Sequence, residues 1–504
     1  MPQASRTVRF AEGGCLAILF GWLIWLPMPF GSVVERARLP LMAIPLGLCL
    51  LASLVRLYAT RDRTNTAQPT RAWQIWGIGA LVFLSVCTLQ LVPLAAGVLR
   101  AVSPESYALW SSASEVASLA GATPRRAWPM TIDPRASLAE LLRLAALFAT
   151  FTVSALLIRT HPRRRTLAFA LTVAAVFESL YGLREAALQR YEIWGWVNRL
   201  VFDRVTGTFV NPNHFAHYLA IVLPMILFLG ASLWRNTGRG EERMARRFVV
   251  MVERHALSAG FIGLAAITCL AALLLSQSRG ALVALGAAFL AVAAMLPGRR
   301  VMRVASGAAA AVILIVALAL FLGPARTITR FSPSALGQQS VSRGQAVITA
   351  GQVWRRFPVF GSGLGTFARV VSMEQDHATD RIYHHAHNDY AELAATTGTL
   401  GFVIAMVTLL GGTIWLVRQT FGKGGRELTF VRRAYQAAAL LSLTVAMVHA
   451  LFDFNFYIPS NPATLAAILG AAVASVDHDR RKRKNGTDRP DRTDGTNRTN
   501  RTNR

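Results

Sequence analysis

Residues 256–295 read ALSAGFIGLAAITCLAALLLSQSRGALVALGAAFLAVAAM, and Arg279 is the one charged side chain among them. On each side of SQSRG (276–280) lies an apolar run long enough to cross a hydrocarbon core as a helix, which takes about 17–25 residues. Arg254 precedes the first run, and Arg299 and Arg300 follow the second. The pattern is a helical hairpin, with a tight turn on one face and basic flanks on the other. Similar runs recur outward in both directions, giving twelve candidate spans at about 13–30, 39–58, 72–95, 138–158, 166–183, 214–234, 256–275, 280–297, 302–322, 398–417, 434–452 and 461–476. The expected fold is an all-α polytopic integral membrane protein of about twelve transmembrane helices. The composition agrees: 53% of the 504 residues are hydrophobic and only 16% are charged, against about a quarter charged in soluble proteins. A soluble enzyme, a disordered chain, a disulfide-stapled secreted domain and a membrane β-barrel are all excluded.

The net charge of +27 comes from bursts of Arg between apolar runs, not from one basic face. That is the positive-inside pattern of membrane loops, and no nucleic-acid partner is expected. With the N-terminus in the cytoplasm, the inner segments hold nearly twice as many Lys and Arg as the outer ones. An even number of spans returns the C-terminus to the same side. Cys15, Cys49, Cys87 and Cys269 lie in apolar stretches without metal-ligand spacing and read as small core residues. The chain divides into residues 1–200, the first five spans with their outer loops; 201–476, the remaining spans with a large outer loop at 323–397 between spans nine and ten; and 477–504, a polar, basic cytoplasmic tail expected to be disordered.

The unusual polar residues gather on the outer face. Arg204 precedes TGTFVNPNHFAHY (206–218), and Arg279 lies in its tight turn. HHAHNDYAEL (384–393) leads into the tenth span, and Asp453 and Asn455 interrupt the end of the eleventh. An Arg near membrane depth costs several kcal/mol (roughly 3 or more) unless it is paired or faces water. Arg279 is therefore expected to meet an anion: a bound substrate first, a structural pair with Asp453 or a lipid headgroup second. His384, His385 and His387, with His377 and Asp376 nearby, lack the i, i+4 or paired-Cys spacing of zinc sites, so no metal is expected. An imidazole here suits a general base, and Asn388 or Asp389 suits a cap for a helix starting near Tyr390, with Glu392 in its first turn. GSGLG (361–365) lacks the strand and the GK[ST] ending of a phosphate loop, so turn chemistry is expected of it. YEIWGW (191–196) reads as interfacial anchoring before sugar stacking.

Five of these stretches, GTFVNPNHFAHYLAIVLP, LLLSQSRGALVAL, FPVFGSGLGTF, HAHNDYAELAATTGTLGF and HALFDFNFYIPSNP, occur in this order between Arg204 and Pro462. Together they resemble the O-antigen ligase family, which also contains lipid-linked glycan polymerases and bacterial protein O-oligosaccharyltransferases. The resemblance implies a multi-pass glycosyltransferase of the bacterial inner membrane. Its donor would be a polyprenyl-diphosphate-linked glycan and its acceptor, on the periplasmic face, the lipid A–core glycolipid. The family's catalytic Arg of the SRG segment falls on Arg279 and its loop His on His387; its other Arg falls on Arg204. Arg279 and Arg204, with Asn388, His385 and Asp453, are the expected substrate contacts.

This assignment suits the chemistry. Expulsion of a diphosphate builds negative charge that guanidinium groups can bind in forked geometry, and an imidazole can take the proton of the attacking hydroxyl. A diphosphate needs no general acid to leave. No cofactor is expected, and the transfer is read as metal-independent and inverting. A polymerase or protein oligosaccharyltransferase of the same superfamily is the alternative, and a lipid or polysaccharide transporter or flippase is the rival from another class.

Overall fold

The computed structural model describes residues 2–60, 71–123, 125–198, 203–236, 244–295, 333–374, 383–422 and 428–484. The described helices in chain order are α1 (Pro2–Trp25), α2 (Glu35–Thr60), α3 (Arg71–Leu89), α4 (Ala96–Val102), α5 (Pro104–Leu119), α6 (Pro134–Leu157), α7 (His161–Ala187), α8 (Pro212–Asn236), α9 (Met244–Arg254), α10 (Ala256–Leu275), α11 (Arg279–Ala294), α12 (Pro333–Arg356), α13 (Phe367–Glu374), α14 (Asp389–Phe421), α15 (Phe430–His449) and α16 (Ser460–Lys484). Among the described residues, seven helices are long and apolar enough to cross a membrane: α1, α2, α6, α7, α8, α10 and α14. Shorter apolar helices lie in α3, α11 and α16. Each expected span falls on a helix except 302–322, which lies outside the described residues. Among the described residues, two small antiparallel ladders join the helices. β1 (Leu94–Ala95) pairs with β2 (Ala127–Trp128), and β3 (Glu192–Ile193) with β4 (Trp196–Val197). Helix α16 continues through 477–484, into the segment expected to be a tail.

The bundle is organised around α8, whose most apolar window is 83% buried, against 17% in the peripheral α14. A helix apolar on every side can be satisfied only in the middle of a bundle, and α8 is enclosed by α7, α10 and α15. Small residues permit the closest approaches. A side chain at Gly470 of α16 would run into the Phe151 carbonyl of α6, as expected where helix backbones pack tightly in lipid.

The described part of the 323–397 segment has structure of its own. Val353, Phe357, Phe367, Val370 and Val371 close a small second core against Ala386 and Ala395. Helix α14 begins at Asp389, and Gly398 (φ 65°) breaks it, so the first two turns belong to this segment and the rest to the expected span. The break admits the loop after α12: the Thr399 amide donates to the Pro358 carbonyl (2.8 Å) and the Leu400 amide to that of Val359 (3.1 Å). In the GSGLG turn, the amides of Gly361, Ser362 and Gly363 donate to the carbonyls of Phe357, Ala395 and Thr396. The Leu364 amide donates to Gln90 Oε1 (2.9 Å). With those donors engaged within the protein, this is a turn that fastens the loop to α3 and α14, not a phosphate cradle. The Trp194 indole donates to the Met28 carbonyl (2.8 Å), and its ring packs on Phe177 and Tyr181. The aromatic hairpin thereby fastens α7 to the loop after α1.

Candidate functional site

Among the described residues, the N-termini of α8, α11, α14 and α16 lie at one end of the bundle. Such ends carry unpaired amides and partial positive charge, which favour anions. The anion present is the carboxylate of Asp453, in the loop between α15 and α16; its side chain is 1% exposed. Asn213 of α8 donates to Asp453 Oδ2 (2.9 Å), and Arg343 of α12 lies 3.5 Å from the same oxygen. On Oδ1, His387 Nδ1 is 3.3 Å away, His214 Nε2 of α8 is 3.7 Å away, and the Phe454 amide donates at 3.1 Å. Burial works against the ionised carboxyl. The imidazoles of His214 and His387 and the charge of Arg343 outweigh it and hold Asp453 well below the ordinary carboxylate value.

Arg204 extends this network. Its guanidinium donates to Asn213 Oδ1 (2.8 Å) and to the Ser276 carbonyl (2.7 Å). Asn213 thus bridges Arg204 to Asp453. The Ser276 contact fastens Arg204 to the tight turn that presents Arg279, the first residue of α11 and half-buried. The next residue, Gly280, lies flat against His449 of α15, where an added Cβ would come within 2.7 Å of Nε2. The turn is therefore held from both sides, and Arg279 and Arg204 emerge from the same corner.

His387 has φ of 50°, a left-handed conformation uncommon for a non-glycine residue. The surrounding bonds enforce it. Asn388 caps α14, accepting from the Tyr390 and Ala391 amides (3.0 Å each), and its own amide donates to the Leu451 carbonyl (3.1 Å). The Asp389 amide donates to the Ala450 carbonyl (2.9 Å). With Nδ1 directed at a carboxylate, the Nδ1–H tautomer is favoured and Nε2 keeps its lone pair. The ring remains 29% exposed while Asp453 behind it is closed off. The arrangement is an imidazole that opens to solvent and is oriented from a buried carboxylate.

The other expected substrate contacts have partners within the protein. Asp453 is enclosed by its partners and lies behind His387. The Asn388 side chain is engaged at both ends in holding the loop. Asp453 is partnered by Arg343, His387, His214 and Asn213. His385 donates toward Glu392 (2.9 Å) and stacks on Phe454 at 4.2 Å between ring centres. Burial opposes its charge, but the Glu392 carboxylate prevails and raises its pKa. His384 is exposed. His377 and Asp376 lie outside the described residues, among which no three His, Cys, Asp or Glu side chains are grouped to hold a metal ion.

Residues 264–406 match the protein-family model described as O-antigen ligase. Over that segment, and over less than half of the chain, the sequence is similar to the O-antigen ligase family. Members of that family are ligase- or polymerase-type membrane glycosyltransferases. No curated protein matches the chain. The O-antigen ligase match contains Arg279, Arg343 and His387, whereas Arg204, Asn213, His214 and Asp453 join them from outside it.

Arg343 and His214 were not singled out in the sequence. Arg343 donates to the Phe452 carbonyl (3.0 Å) as well as approaching Asp453. A signal for it existed: Ser342-Arg343-Gly344 repeats the SRG of residues 278–280. His214 had none beyond its place in the NPNH stretch.

Proposed function

We propose that this protein is an O-antigen ligase-like enzyme, transferring a glycan from a polyprenyl-diphosphate carrier to a hydroxyl of the lipid A–core acceptor at the outer face of the bacterial inner membrane. In this reading twelve helices span the membrane, both termini are cytoplasmic, and the 323–397 loop lies outside with the site. The observation that carries the proposal is the convergence on buried Asp453 of His387, Arg343 and, through Asn213, Arg204, beside the turn that presents Arg279.

His387 Nε2 takes the proton of the acceptor hydroxyl as its oxygen attacks the anomeric carbon. The bond to the diphosphate breaks, and its electron pair remains on the phosphate oxygens. Arg279, Arg204 and Arg343 offset the charge that grows there. Fixed cations are most effective at a site that excludes water, where removing one such donor typically costs about 10²–10³ in rate. Asp453 touches no reacting atom; it sets the tautomer and direction of His387 and balances the positive charge.

A lipid-borne substrate is supported by a neighbouring cavity of about 370 Å³, whose apolar walls come from α3, α6, α14, α15 and α16. Asp389 and Tyr390, which follow His387 and Asn388, line it together with Phe456 and Tyr457, which follow Asp453. A lipid chain held there would share two loops with the site.

The test is a reconstituted assay with a labelled polyprenyl-diphosphate glycan, offered lipid A–core, a second lipid-linked glycan or a peptide. Transfer to lipid A–core is expected, with Arg279→Ala and His387→Ala abolishing it while still inserting in the membrane. Transfer to the glycan or the peptide selects the polymerase or protein oligosaccharyltransferase. Movement of the label across the bilayer with its covalent partner unchanged would refute an enzyme in favour of a transporter.

A further inference from the structure

The opposite end of the bundle holds a second cavity, of about 550 Å³, between α7, α8 and α10. Leu229 and Leu233 of its lining lie 16 to 20 residues along α8 from Asn213. At 1.5 Å per residue that is about 24–30 Å, roughly the thickness of a hydrocarbon core. The cavity is therefore on the other membrane face from the candidate site and is no part of it.

Its walls and rim differ in character. Phe169 of α7 and Phe261 of α10, with ring centres 5.3 Å apart, stand in the cleft beside Ile262 and Leu233. At the rim are His161 and Arg165, and the described lining contains no acidic residue. Arg164 and Arg235 also lie within electrostatic reach of His161. Of the nearby arginines, Arg163 is neutralised by Glu12 (2.7 Å). Arg165 is exposed and has no ion pair among the described residues.

Helix α9 fixes the level of the rim. Phe248, Val249 and Val252 expose one apolar face, and Arg246 and Arg254 are exposed as well. A short basic amphipathic helix of this kind lies flat at the headgroup boundary. It leads directly into α10, where Leu257 and Ser258 line the cavity mouth. Cationic rim, headgroup depth and apolar cleft coincide.

We infer that this cavity binds one anionic phospholipid, with the phosphate at the Arg165–His161 rim and an acyl chain against Phe169 and Phe261. The positive rim facing an apolar cleft at headgroup level selects this occupant over a neutral lipid or a soluble anion.

Native mass spectrometry of the full-length protein, titrated with phosphatidylglycerol or phosphatidylcholine, tests this. Wild type should retain one phosphatidylglycerol in preference to phosphatidylcholine. Arg165→Gln and Arg235→Gln should each lower that preference about five-fold, the effect of one basic residue near a charged surface. Ser258→Trp, which fills the mouth, should reduce retention of both lipids. Glycerol phosphate should not displace the bound lipid. Equal retention of the two lipids by wild type, undiminished preference in both Arg variants, or displacement by glycerol phosphate would each overturn the proposal. The wild-type comparison decides the matter even if a variant fails to fold, and it is independent of glycan transfer.

Discussion

Asp453→Asn keeps the shape of the side chain and removes its charge, and both of the ways the amide can face are costly. With the new NH₂ replacing Oδ2, it meets the Asn213 amide (2.9 Å from that oxygen) and Arg343 (3.5 Å), donors against donors. With the NH₂ replacing Oδ1, it faces the Phe454 amide and His387 Nδ1 (3.3 Å). His387 could then accept only by moving its proton to Nε2, which removes the lone pair required of the base. A hydrogen bond to a charged group is worth about 1.5–3 kcal/mol, and each 1.36 kcal/mol is tenfold in rate. Losing one or two such contacts predicts a fall in kcat of about 10–10⁴. Because Asp453 is closed off behind His387, KM should change little, whereas loss of a direct substrate contact would raise it. Steady-state transfer by reconstituted wild type and variant, with membrane insertion checked, measures the split. A kcat within threefold of wild type, or an effect confined to KM, would refute the positioning role. The folded carboxyl is depressed, so its stabilising contribution is present above the ordinary carboxylate range near 3.8 and fades as pH falls through the lower folded value. Tm curves of wild type and variant should therefore converge in strong acid and stay apart near neutrality.

Arg279→Lys should retain little transfer activity in the same assay, because an ammonium cannot reproduce a forked contact to phosphate oxygens. Gly398→Ala places a Cβ against the Val359 carbonyl at a left-handed position. It should lower Tm, read by thermal scanning in detergent, by an amount corresponding to at least about 1–3 kcal/mol of strain. Glu392→Gln removes the charge that raises the pKa of His385. That contribution is complete below the ordinary imidazole value near 6.5 and disappears as pH rises through the folded one. The Tm difference from wild type should thus be largest in mild acid and shrink in alkali. Deleting Asn485–Arg504 should leave transfer nearly unchanged in membranes, since the segment carries no apolar residue able to join a core.

Much of this architecture is legible in the order of residues, because a bilayer admits few solutions. Backbone in hydrocarbon must bond to itself, so an apolar run near twenty residues long becomes a helix wherever it occurs, and its basic flanks set the direction. The tight turn at 276–278 and the Asn388 cap are local events, and local chemistry was enough to read them. The cluster around Asp453 is of another kind. His387 is 66 residues from Asp453 and Asn213 is 240 away, and such pairs meet only because α8, α11, α14 and α15 pack as they do. Composition and spacing therefore marked Arg204, Arg279, His387 and Asp453 as unusual without revealing that one buried carboxylate joins most of them. They also passed over Arg343, whose helix lies in a stretch read as loop. Hydropathy determined which segments enter lipid, a property each segment holds alone. Which charge faces which imidazole depended on how the helices packed, since an ion pair is a property of two positions that the chain itself does not bring together.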